Sequence, residues 1–251
     1  MKNKIAVIIL AAGMGTRMKS DKAKVLHEIA NQPMIIYVVD AARKVAGDDV
    51  IVVIGNQAQT VRECLSETDQ LIFAHQDKQL GTAHAVLCAL PHIPDHCEEV
   101  VILCGDVPLI QAETLNGLVK DHLNDKRDIS LLAVELDNPF GYGRVLLDEN
   151  QLICEIVEES DATAEQKAIN LINAGIYCIK KGFLMEALPK IRSDNAQGEL
   201  YLTDIMAIGY REKKKMGVRI ASDYQQILGV NTCRDLELVD EIMKKRMRII
   251  S

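Results

Sequence analysis

The sequence predicts an α/β protein with a Rossmann-like, mixed but mostly parallel sheet flanked by helices. Three apolar runs carry this prediction: Ile5 to Leu10, Val50 to Ile54 and Val100 to Leu103. Each is rich in Val and Ile and lacks the polar alternation of a half-exposed strand, which is typical of strands buried on both faces. Segments with helical periodicity separate the runs, and strands that alternate with helices predict a parallel sheet covered by helices.

The predicted helices of the first half follow the strands in order. They span Pro33 to Val45, Gln59 to Leu65 and Thr82 to Leu90. The first begins with proline, which is tolerated where a helix starts because the missing N–H has no partner there. These three segments therefore supply the crossovers of the parallel sheet.

The second half of the chain changes character after Asp128. Predicted strands come in quicker succession there, which indicates mixed or antiparallel pairing added to the same sheet. They run from Ile129 to Leu136, Gly143 to Leu147, Leu152 to Val157 and Gly175 to Ile179. A long helix from about Thr232 to Ile250 ends the chain.

Composition excludes several classes of partner. The net charge is -7, Trp is absent and aromatic residues make up only 4% of the 251 residues. An acidic chain repels polyanions, and few aromatic side chains are present to stack on bases, so we expect neither a nucleic-acid nor an anionic-membrane partner. No run approaches the length needed to span a bilayer, and we expect a cytoplasmic protein.

The cysteines and histidines do not form a recognisable metal motif. The seven cysteines are scattered, without the Cys-x-x-Cys spacing of zinc sites, and scattered cysteines in apolar runs indicate buried thiols in a reducing compartment. His92 and His96 are four residues apart, but Pro94 lies between them, so we expect loop histidines rather than a helical metal pair.

The glycine-rich loop after the first strand is the strongest local signal. It reads Leu10-Ala11-Ala12-Gly13-Met14-Gly15-Thr16-Arg17-Met18, with Lys24 a few residues on. The two glycines allow backbone N–H groups to approach phosphate oxygens, and Arg17 and Lys24 add positive charge. The dinucleotide fingerprint fails at Met18, and no Gly-Lys-Ser/Thr of a P-loop follows. A simple tight turn remains the alternative to a phosphate site.

With this loop in place, ordered motifs along nearly the whole chain resemble those of sugar-nucleotide pyrophosphorylases. Within that family the chain is most similar to the uridylyltransferase domain of bifunctional bacterial N-acetylglucosamine-1-phosphate uridyltransferases. Besides the glycine-rich loop, the motifs are Gln79-Leu80-Gly81-Thr82-Ala83-His84-Ala85, Gly105-Asp106-Val107-Pro108-Leu109, Gly141-Tyr142-Gly143-Arg144, Ile172-Asn173-Ala174-Gly175, Tyr201-Leu202-Thr203-Asp204-Ile205 and Gly229-Val230-Asn231.

The resemblance implies the nucleotide-diphospho-sugar transferase fold and a reaction between UTP and N-acetylglucosamine 1-phosphate, with Arg17 and Lys24 as catalytic residues. It also implies that Asp106 and Asn231 ligate Mg²⁺, or Mn²⁺, which accepts the same oxygen ligands. From the residues alone, Asp106 could equally be a turn residue and Asn231 a helix cap.

Two further sets of positions follow from the resemblance. Those expected to bind the nucleotide are Leu10, Ala11, Ala12, Gly13, Gly15, Gln76, Gly81, Thr82 and Asp106. Those expected to bind the sugar are Gly105, Gly141, Glu158, Asn173, Tyr201 and Thr203. By themselves, Gln76 could be an exposed loop amide and Glu158 part of a solvated acidic run.

We therefore expect one nucleotidyltransferase domain over residues 1–251. Residues 1–127 would form its nucleotide-binding half, 128–231 a smaller sugar-binding β subregion and 232–251 the final helix. The sequence ends at Ser251 without the hexapeptide repeats of the acetyltransferase domain, so we expect a monomer or weak dimer; whether Ser251 is a natural terminus stays open.

Two positions depart from the family's sequence pattern, and two alternative functions stay open. Cys104 and Ala174 stand where tyrosine and threonine are common in the family. Another nucleotide or sugar phosphate is the first alternative substrate pair, because the glycine loop and the Gly-Asp motif are shared across such transferases. A catalytically silent sugar-nucleotide sensor is the alternative of another class.

Overall fold

The fold is described from a computed structural model, which covers residues 4–66, 68 and 70–250. In this part of the chain the strands are β1 Ile5–Leu10, β2 Glu28–Ile29, β3 Gln32–Pro33, β4 Val50–Ile54, β5 Ile72–His75, β6 Glu99–Cys104, β7 Ile129–Glu135, β8 Arg144–Leu147, β9 Ile153–Val157, β10 Leu171–Lys180 and β11 Met216–Ile220. The helices are α1 Met34–Ala46, α2 Ala58–Cys64, α3 Thr82–Ala89, α4 Ala112–Asn124, α5 Ala164–Lys167, α6 Lys181–Ala187, α7 Asp204–Arg211 and α8 Cys233–Ile250.

A single large sheet runs through both halves of the chain in the order β11-β7-β10-β6-β1-β4-β5, with the β8–β9 hairpin joined to β10. β1 pairs in parallel with β4 and β6, β4 with β5, and β7 with β11. β10 is antiparallel to both β6 and β7. The prediction of a mixed but mostly parallel sheet is confirmed.

Helices cover both faces of the sheet because its strands are apolar on both sides. Val7 and Ile9 of β1 belong to the core shared with α1 and α4. Ala6 and Ile8 of the same strand point the other way, into the core shared with α3, α6 and α7. All four residues are fully buried, as expected for a strand in the middle of a three-layer structure.

The final helix is attached beside the glycine-rich loop. Val239 and Ile242 of α8 pack with Met18 and Met34 in a separate apolar cluster. Arg246 donates to Leu109 O and to Asp223, both at 2.9 Å. Arg246 therefore fastens α8 to the body of the protein.

The structure also corrects several boundaries. β10 begins at Leu171 rather than Gly175, and a register shift interrupts its pairing with β7 between Asn173 and Ile176. α1 begins at Met34, because Pro33 belongs to the short β3 strand. Among the described helices none is long and apolar enough to cross a membrane.

Candidate functional site

The glycine-rich loop lies where the ends of three strands meet. Ala11 N donates to Val53 O of β4, and Gly105 N donates to Leu10 O, both at 2.9 Å. The carboxyl ends of β1, β4 and β6 thus share one edge of the sheet, the usual place for ligands in open α/β sheets. Gly105 has no room for a side chain, since an added Cβ would lie 3.0 Å from Ile35 and 3.1 Å from Leu10 O.

Gly15 brings the loop against Lys24. Its φ of +62° is left-handed, and a Cβ at this position would lie 2.6 Å from Lys24 Cβ. Only glycine meets both requirements without strain. Gly13 is exposed and has open space around its Cα, so its backbone is accessible to a ligand. The loop consequently presents backbone groups next to a lysine side chain, as a phosphate site requires.

The side chain of Asn231 brings the two predicted catalytic cations together. Its Oδ1 accepts hydrogen bonds from Arg17 Nη2 at 2.8 Å and from Lys24 Nζ at 3.0 Å. Lys24 Nζ also forms an ion pair with Asp106, and the Lys24 and Asp106 side chains are 15% and 19% exposed. All four residues, which are far apart in sequence, therefore form one cluster at the mouth of the loop.

This cluster also fits a divalent metal. A carboxylate of Asp106 and an amide oxygen of Asn231 lie close enough together to share one cation, since Lys24 Nζ contacts both. Oxygen ligands of this kind suit Mg²⁺, which binds through one or two protein groups and completes its shell with water and phosphate. Val230 N donates to Asp106 O at 2.9 Å, which fixes the two ligand-bearing segments to each other.

The start of α8 holds Asn231 in place. Asp235 Oδ2 accepts from Asn231 N at 3.0 Å and from Thr232 N at 2.8 Å. Asp235 N in turn donates to Thr232 Oγ1 at 3.2 Å. This reciprocal pattern caps the helix through Thr232 and Asp235. The cap leaves the side chain of Asn231 free to face Arg17 and Lys24.

Gln76 forms the other end of the cleft. It is only 4% exposed, so the alternative of an exposed loop amide is wrong. Its Nε2 donates to Gly81 O at 3.1 Å and lies 3.0 Å from His84 Nδ1. These partners fix the orientation of the amide and leave Oε1 as the acceptor for a ligand.

Gly81 joins this end of the cleft to the second half of the chain. Its φ is +112°, and an added Cβ would lie 2.5 Å from Leu200 O. Ala83 N donates to Leu200 O at 2.9 Å, and Leu202 N donates to Thr82 Oγ1 at 2.9 Å. The hydrogen bond to the Thr82 hydroxyl therefore holds the segment around Leu200 in position.

Of the predicted sugar residues, Tyr201 and Thr203 lie close to Glu158, which is beside Gly143. The carboxyl Oε2 lies 3.3 Å from the position that a Gly143 Cβ would occupy. Burial raises the pKa of the Glu158 carboxyl, and Asp161 and Asp204 raise it further, while the nearby Thr203 hydroxyl acts in the opposite direction. A half-buried carboxyl with a raised pKa does not fit the alternative of a solvated acidic run.

Two hydroxyl groups of this region have unused hydrogen-bonding capacity. Tyr201 OH and Thr203 Oγ1 are buried and have no hydrogen-bond partner of standard geometry within the described part of the chain. Unpaired buried hydroxyls are costly unless a ligand or water satisfies them. They are suitable partners for the hydroxyl groups of a sugar.

Gly141 and Asn173 are positioned by backbone contacts. Gly141 has a φ of +85°, and its N–H donates to Glu159 Oε2 at 3.1 Å. The same Oε2 accepts from the buried Arg144 at 2.7 Å. Asn173 Oδ1 accepts from Gly175 N at 2.8 Å, at the bulge of β10. The Asn173 side chain also forms a hydrogen bond with the hydroxyl of buried Tyr177, which lowers the pKa of Tyr177 against the larger effect of burial.

Cys104 lies between the two groups of residues. It ends β6, and its Sγ donates to Gly175 O at 3.7 Å. Burial raises the pKa of this thiol to about 12, with further increases from Asp106 and Glu158 and a smaller opposing effect from Lys24. Asp106 of the predicted nucleotide set and Glu158 of the predicted sugar set are therefore both close to Cys104.

All nine predicted nucleotide residues line one cleft with a volume of about 360 Å³. This size lies in the range of small-molecule sites. Lys24 lines it as well, whereas Arg17 reaches it from outside through Asn231. The remaining lining residues, to which the sequence prediction assigned no role, are Met14, Thr16, Val25, Gln79, Ala85, Cys104 and Glu199.

The sequence contained a signal for two residues in or beside the cleft, Cys104 and His84, to which the prediction assigned no role. Cys104 directly precedes Gly105 at the end of a predicted strand, so its place beside the cleft could have been inferred. His84, which orients Gln76, follows Thr82 by two residues on a predicted helix. Glu199 reaches the cleft only through the pairing of Gly81 with Leu200, and nothing in the local sequence indicates that contact.

A second cluster of potential ligands lies at the opposite edge of the sheet. Asp49, His96 and Cys97 stand just before β4 and β6, and their ligand atoms lie within 4.8 Å of one another. Asp49 Oδ2 is 2.8 Å from His96 Nε2 and accepts from Cys97 Sγ at 3.7 Å. Burial and the neighbouring Asp49 raise the pKa of Cys97 to about 11, so the thiol is protonated. These contacts account for the cluster without a metal.

Comparison with known proteins identifies the family of the chain. The model of the MobA-like NTP transferase domain matches residues 7–167. A bifunctional protein GlmU from Desulfotalea psychrophila is 43% identical over 98% of this chain and 72% of its own length. Bifunctional GlmU proteins from Geobacter metallireducens and Clostridioides difficile are 42% and 41% identical, and the chain spans about half of their length, 51% and 52%.

A solved structure shares the fold. It is a putative glucose-1-phosphate thymidylyltransferase from Bacillus anthracis in complex with a sucrose, with a TM-score of 0.74 over 95% of this chain and 94% of that one. The two sequences are only 21% identical, so this similarity concerns the fold. Taken with the family match and the GlmU relatives, the chain belongs to the MobA-like NTP transferase family and is a nucleotidyltransferase related to the bifunctional GlmU proteins.

Proposed function

We propose that the chain transfers the uridylyl group of UTP to N-acetylglucosamine 1-phosphate, giving UDP-N-acetylglucosamine and pyrophosphate. The observation that carries the proposal is that Cys104 lies in the cleft and close to Glu158. The cleft has a glycine-rich backbone, Lys24 and a buried amide. Glu158 is half-buried, and near it two buried hydroxyls have no hydrogen-bond partner of standard geometry in the described part of the chain.

The phosphate end of the cleft suits a triphosphate. Gly13 has open space beside its backbone, Gly15 packs against Lys24, and Lys24 and Arg17 place two positive charges beside this loop. The net charge of the chain is -7, so these local cations must offset its general repulsion of anions. We assign Arg17 and Lys24 as the residues that neutralise charge developing on the phosphates.

The base end favours uracil. Gln76 Nε2 is engaged by Gly81 O and His84, which leaves Oε1 to accept a hydrogen bond from the base. The imide N3–H of uracil is such a donor, whereas N3 of cytosine is an acceptor and would leave Oε1 unpaired. A buried acceptor without a partner costs about 1–3 kcal/mol, which is enough to discriminate between the two bases.

The sugar end offers both donors and acceptors. Glu158 provides acceptor oxygens, and Tyr201 and Thr203 provide buried hydroxyls without a hydrogen-bond partner of standard geometry in the described part of the chain. Gly141 is exposed, and nothing lies within 4 Å of the position of its missing Cβ, so a ligand can approach its backbone closely. We assign these residues, together with Gly105, to the N-acetylglucosamine moiety.

The reaction needs alignment and charge neutralisation more than an acid or a base. An oxygen of the sugar phosphate attacks the α-phosphorus of UTP, a new oxygen–phosphorus bond forms, and the bond to the β-phosphate oxygen breaks as pyrophosphate leaves. Both partners are anions, so holding them in line is a large part of the catalysis. Asp106 and Asn231 would hold Mg²⁺ or Mn²⁺, which supplies charge stabilisation at the phosphates.

We also propose that the two halves of one domain bind different substrates. Residues 1–127 would bind the nucleotide, residues 128–231 the sugar, and the helix after them would hold Asn231 in place. Four of the six proposed sugar residues lie beyond residue 150, and all nine proposed nucleotide residues lie before residue 107. A monomer or weak dimer remains the prediction for the assembly.

Pyrophosphate release from a small substrate panel tests the proposal. The chain with Mg²⁺ is incubated with UTP, dTTP, CTP or GTP, each combined with N-acetylglucosamine 1-phosphate or glucose 1-phosphate. We expect release to be fastest, by at least about tenfold, with UTP and N-acetylglucosamine 1-phosphate. Faster release with another pair would reassign the substrates, and no release from any pair would favour a sugar-nucleotide sensor.

A further inference from the structure

The ammonium group of Lys24 lies between the two proposed metal ligands. It forms an ion pair with Asp106 and donates to Asn231 Oδ1 at 3.0 Å. Arg17 donates to the same oxygen at 2.8 Å. One carboxylate oxygen of Asp106 and the amide oxygen of Asn231 are therefore already in contact with the protein's own cations, and a metal that binds through them must displace these contacts.

Lys24 and a divalent cation would compete for Asp106 and Asn231, because both are positively charged. The Lys24 and Asp106 side chains are 15% and 19% exposed, so the charges are partly shielded from water. Coulomb interactions are stronger in such a site than between fully exposed charges. An ammonium group that keeps its place next to a bound dication would repel it, and one that leaves would lose its ion pair. In either case Lys24 lowers the affinity of the free protein for the metal.

Only the end of the Lys24 side chain needs to move. Its backbone forms a short helical turn, Lys24–Leu26, in which Val25 and Leu26 are buried. Ala23 N donates to Gln57 Oε1 at 3.2 Å, and Gly15 packs against the Cβ of Lys24. The base of the side chain is thus fixed, while its four methylene groups allow the ammonium to reach alternative partners.

We propose that Lys24 is an internal counter-cation of the metal site. In the free protein it holds Asp106 and Asn231 together and competes with the divalent cation; when the cation binds, Lys24 is released towards the phosphates of a nucleotide bound in the same cleft. This inference rests on the assignment of Asp106 and Asn231 as metal ligands in the proposed function.

Metal binding without nucleotide tests the competition. Mn²⁺ binding is measured by electron paramagnetic resonance for the wild type and for Lys24→Met, which removes the charge but keeps a long side chain. Lys22→Met is the matched control, because Lys22 lies on the same segment but pairs with Glu28. We expect Lys24→Met to bind Mn²⁺ at least about tenfold more tightly than the wild type, and Lys22→Met to stay within about twofold.

The outcomes separate the inference from the function on which it rests. Equal or weaker Mn²⁺ binding by Lys24→Met, with Asp106→Asn losing the ion, overturns the counter-cation role and leaves the metal assignment intact. Wild-type Mn²⁺ binding by Asp106→Asn overturns both.

A measurement on the unaltered protein covers the case in which Lys24→Met does not fold. The rate at which an amine-acylating reagent modifies each lysine is followed by mass spectrometry with and without Mg²⁺. We expect the rate at Lys24 to rise at least about threefold with Mg²⁺, because the ion takes its acceptors, while the rate at Lys22 stays constant. An unchanged or lower rate at Lys24 refutes the proposal.

Discussion

Replacing Gly81 by alanine tests how the base end of the cleft is built. Gly81 has a φ of +112°, and an added Cβ would lie 2.5 Å from Leu200 O and 2.6 Å from Leu200 N. Both are backbone atoms that cannot move aside independently. Leu200 N also donates to Leu80 O at 2.8 Å, so relief of the clash requires the two segments to separate.

The expected size of the effect combines two terms. A non-glycine residue in a sparsely populated backbone region costs about 1–3 kcal/mol. Overpacking against fixed atoms costs about 1–3 kcal/mol more. The sum, about 2–6 kcal/mol, corresponds to a decrease in Tm of roughly 5–20 °C for a domain of this size. Since Gly81 O accepts from Gln76 Nε2, we also expect the KM for UTP to rise at least about tenfold.

Thermal unfolding followed by circular dichroism, together with UTP kinetics, measures both effects. Gly182→Ala is the matched control, because Gly182 lies in α6 with nothing within 4 Å of an added Cβ. That change should raise stability by up to about 1 kcal/mol. If Gly81→Ala melted within about 1 °C of the wild type and kept its KM, the described packing of Gly81 against Leu200 would be wrong.

Two further predictions concern the charged residues. Arg17→Ala should lower turnover at least about 100-fold at saturating substrates, as expected for loss of a preorganised charge donor. Arg62→Ala on α2 is the control and should not lower turnover. Equal turnover of the two variants would discard the role of Arg17. Burial and neighbouring acids raise the pKa of Glu158, so the folded protein binds the carboxyl proton of Glu158 more tightly than the unfolded chain does. Glu158 therefore lowers the stability of the folded protein as the pH rises above the usual pKa range of glutamate. Glu158→Gln should therefore melt above the wild type at pH 8 and lose that advantage at pH 4 while weakening sugar-phosphate binding; a constant difference in Tm would contradict this assignment.

The sequence was sufficient to predict the framework of the sheet. β1 and β4 have the predicted bounds, and β6 extends the predicted run by one residue at each end, because long Val and Ile runs without alternation are typical of strands buried on both faces. α4, by contrast, was not predicted, although Ala112, Leu115, Leu118 and Val119 form an apolar stripe at helical spacing. That signal was present in the sequence and was missed.

Other elements depend on contacts that local sequence does not contain. The first residues of β10 include Asn173 and Gly175, which are typical of a turn. Asn173 pairs with Ala133 of β7, whereas Gly175, with a φ of +70°, lies in the bulge between Asn173 and Ile176. The short strands β5 and β11 lie at the two edges of the sheet and are defined by their single parallel neighbours. Tertiary pairing outweighs local propensity in such segments.

The candidate site likewise has parts that the sequence predicts and parts that depend on tertiary contacts. The motifs brought all nine predicted nucleotide residues into one cleft. The shared acceptor Asn231 Oδ1, which joins Arg17 to Lys24, could not be predicted, because it lies more than 200 residues along the chain from both. The resemblance placed these residues in one site, but only the fold shows which atoms meet.

A crystal structure with UDP-N-acetylglucosamine and Mg²⁺ tests the central claim most directly. We predict that uracil lies against Gln76 and Gly81, the diphosphate against Gly13 and Gly15, and the sugar against Glu158, with Lys24 no longer bridging Asp106 and Asn231. The product bound at another surface, or in this cleft with its sugar away from Glu158, would contradict the account.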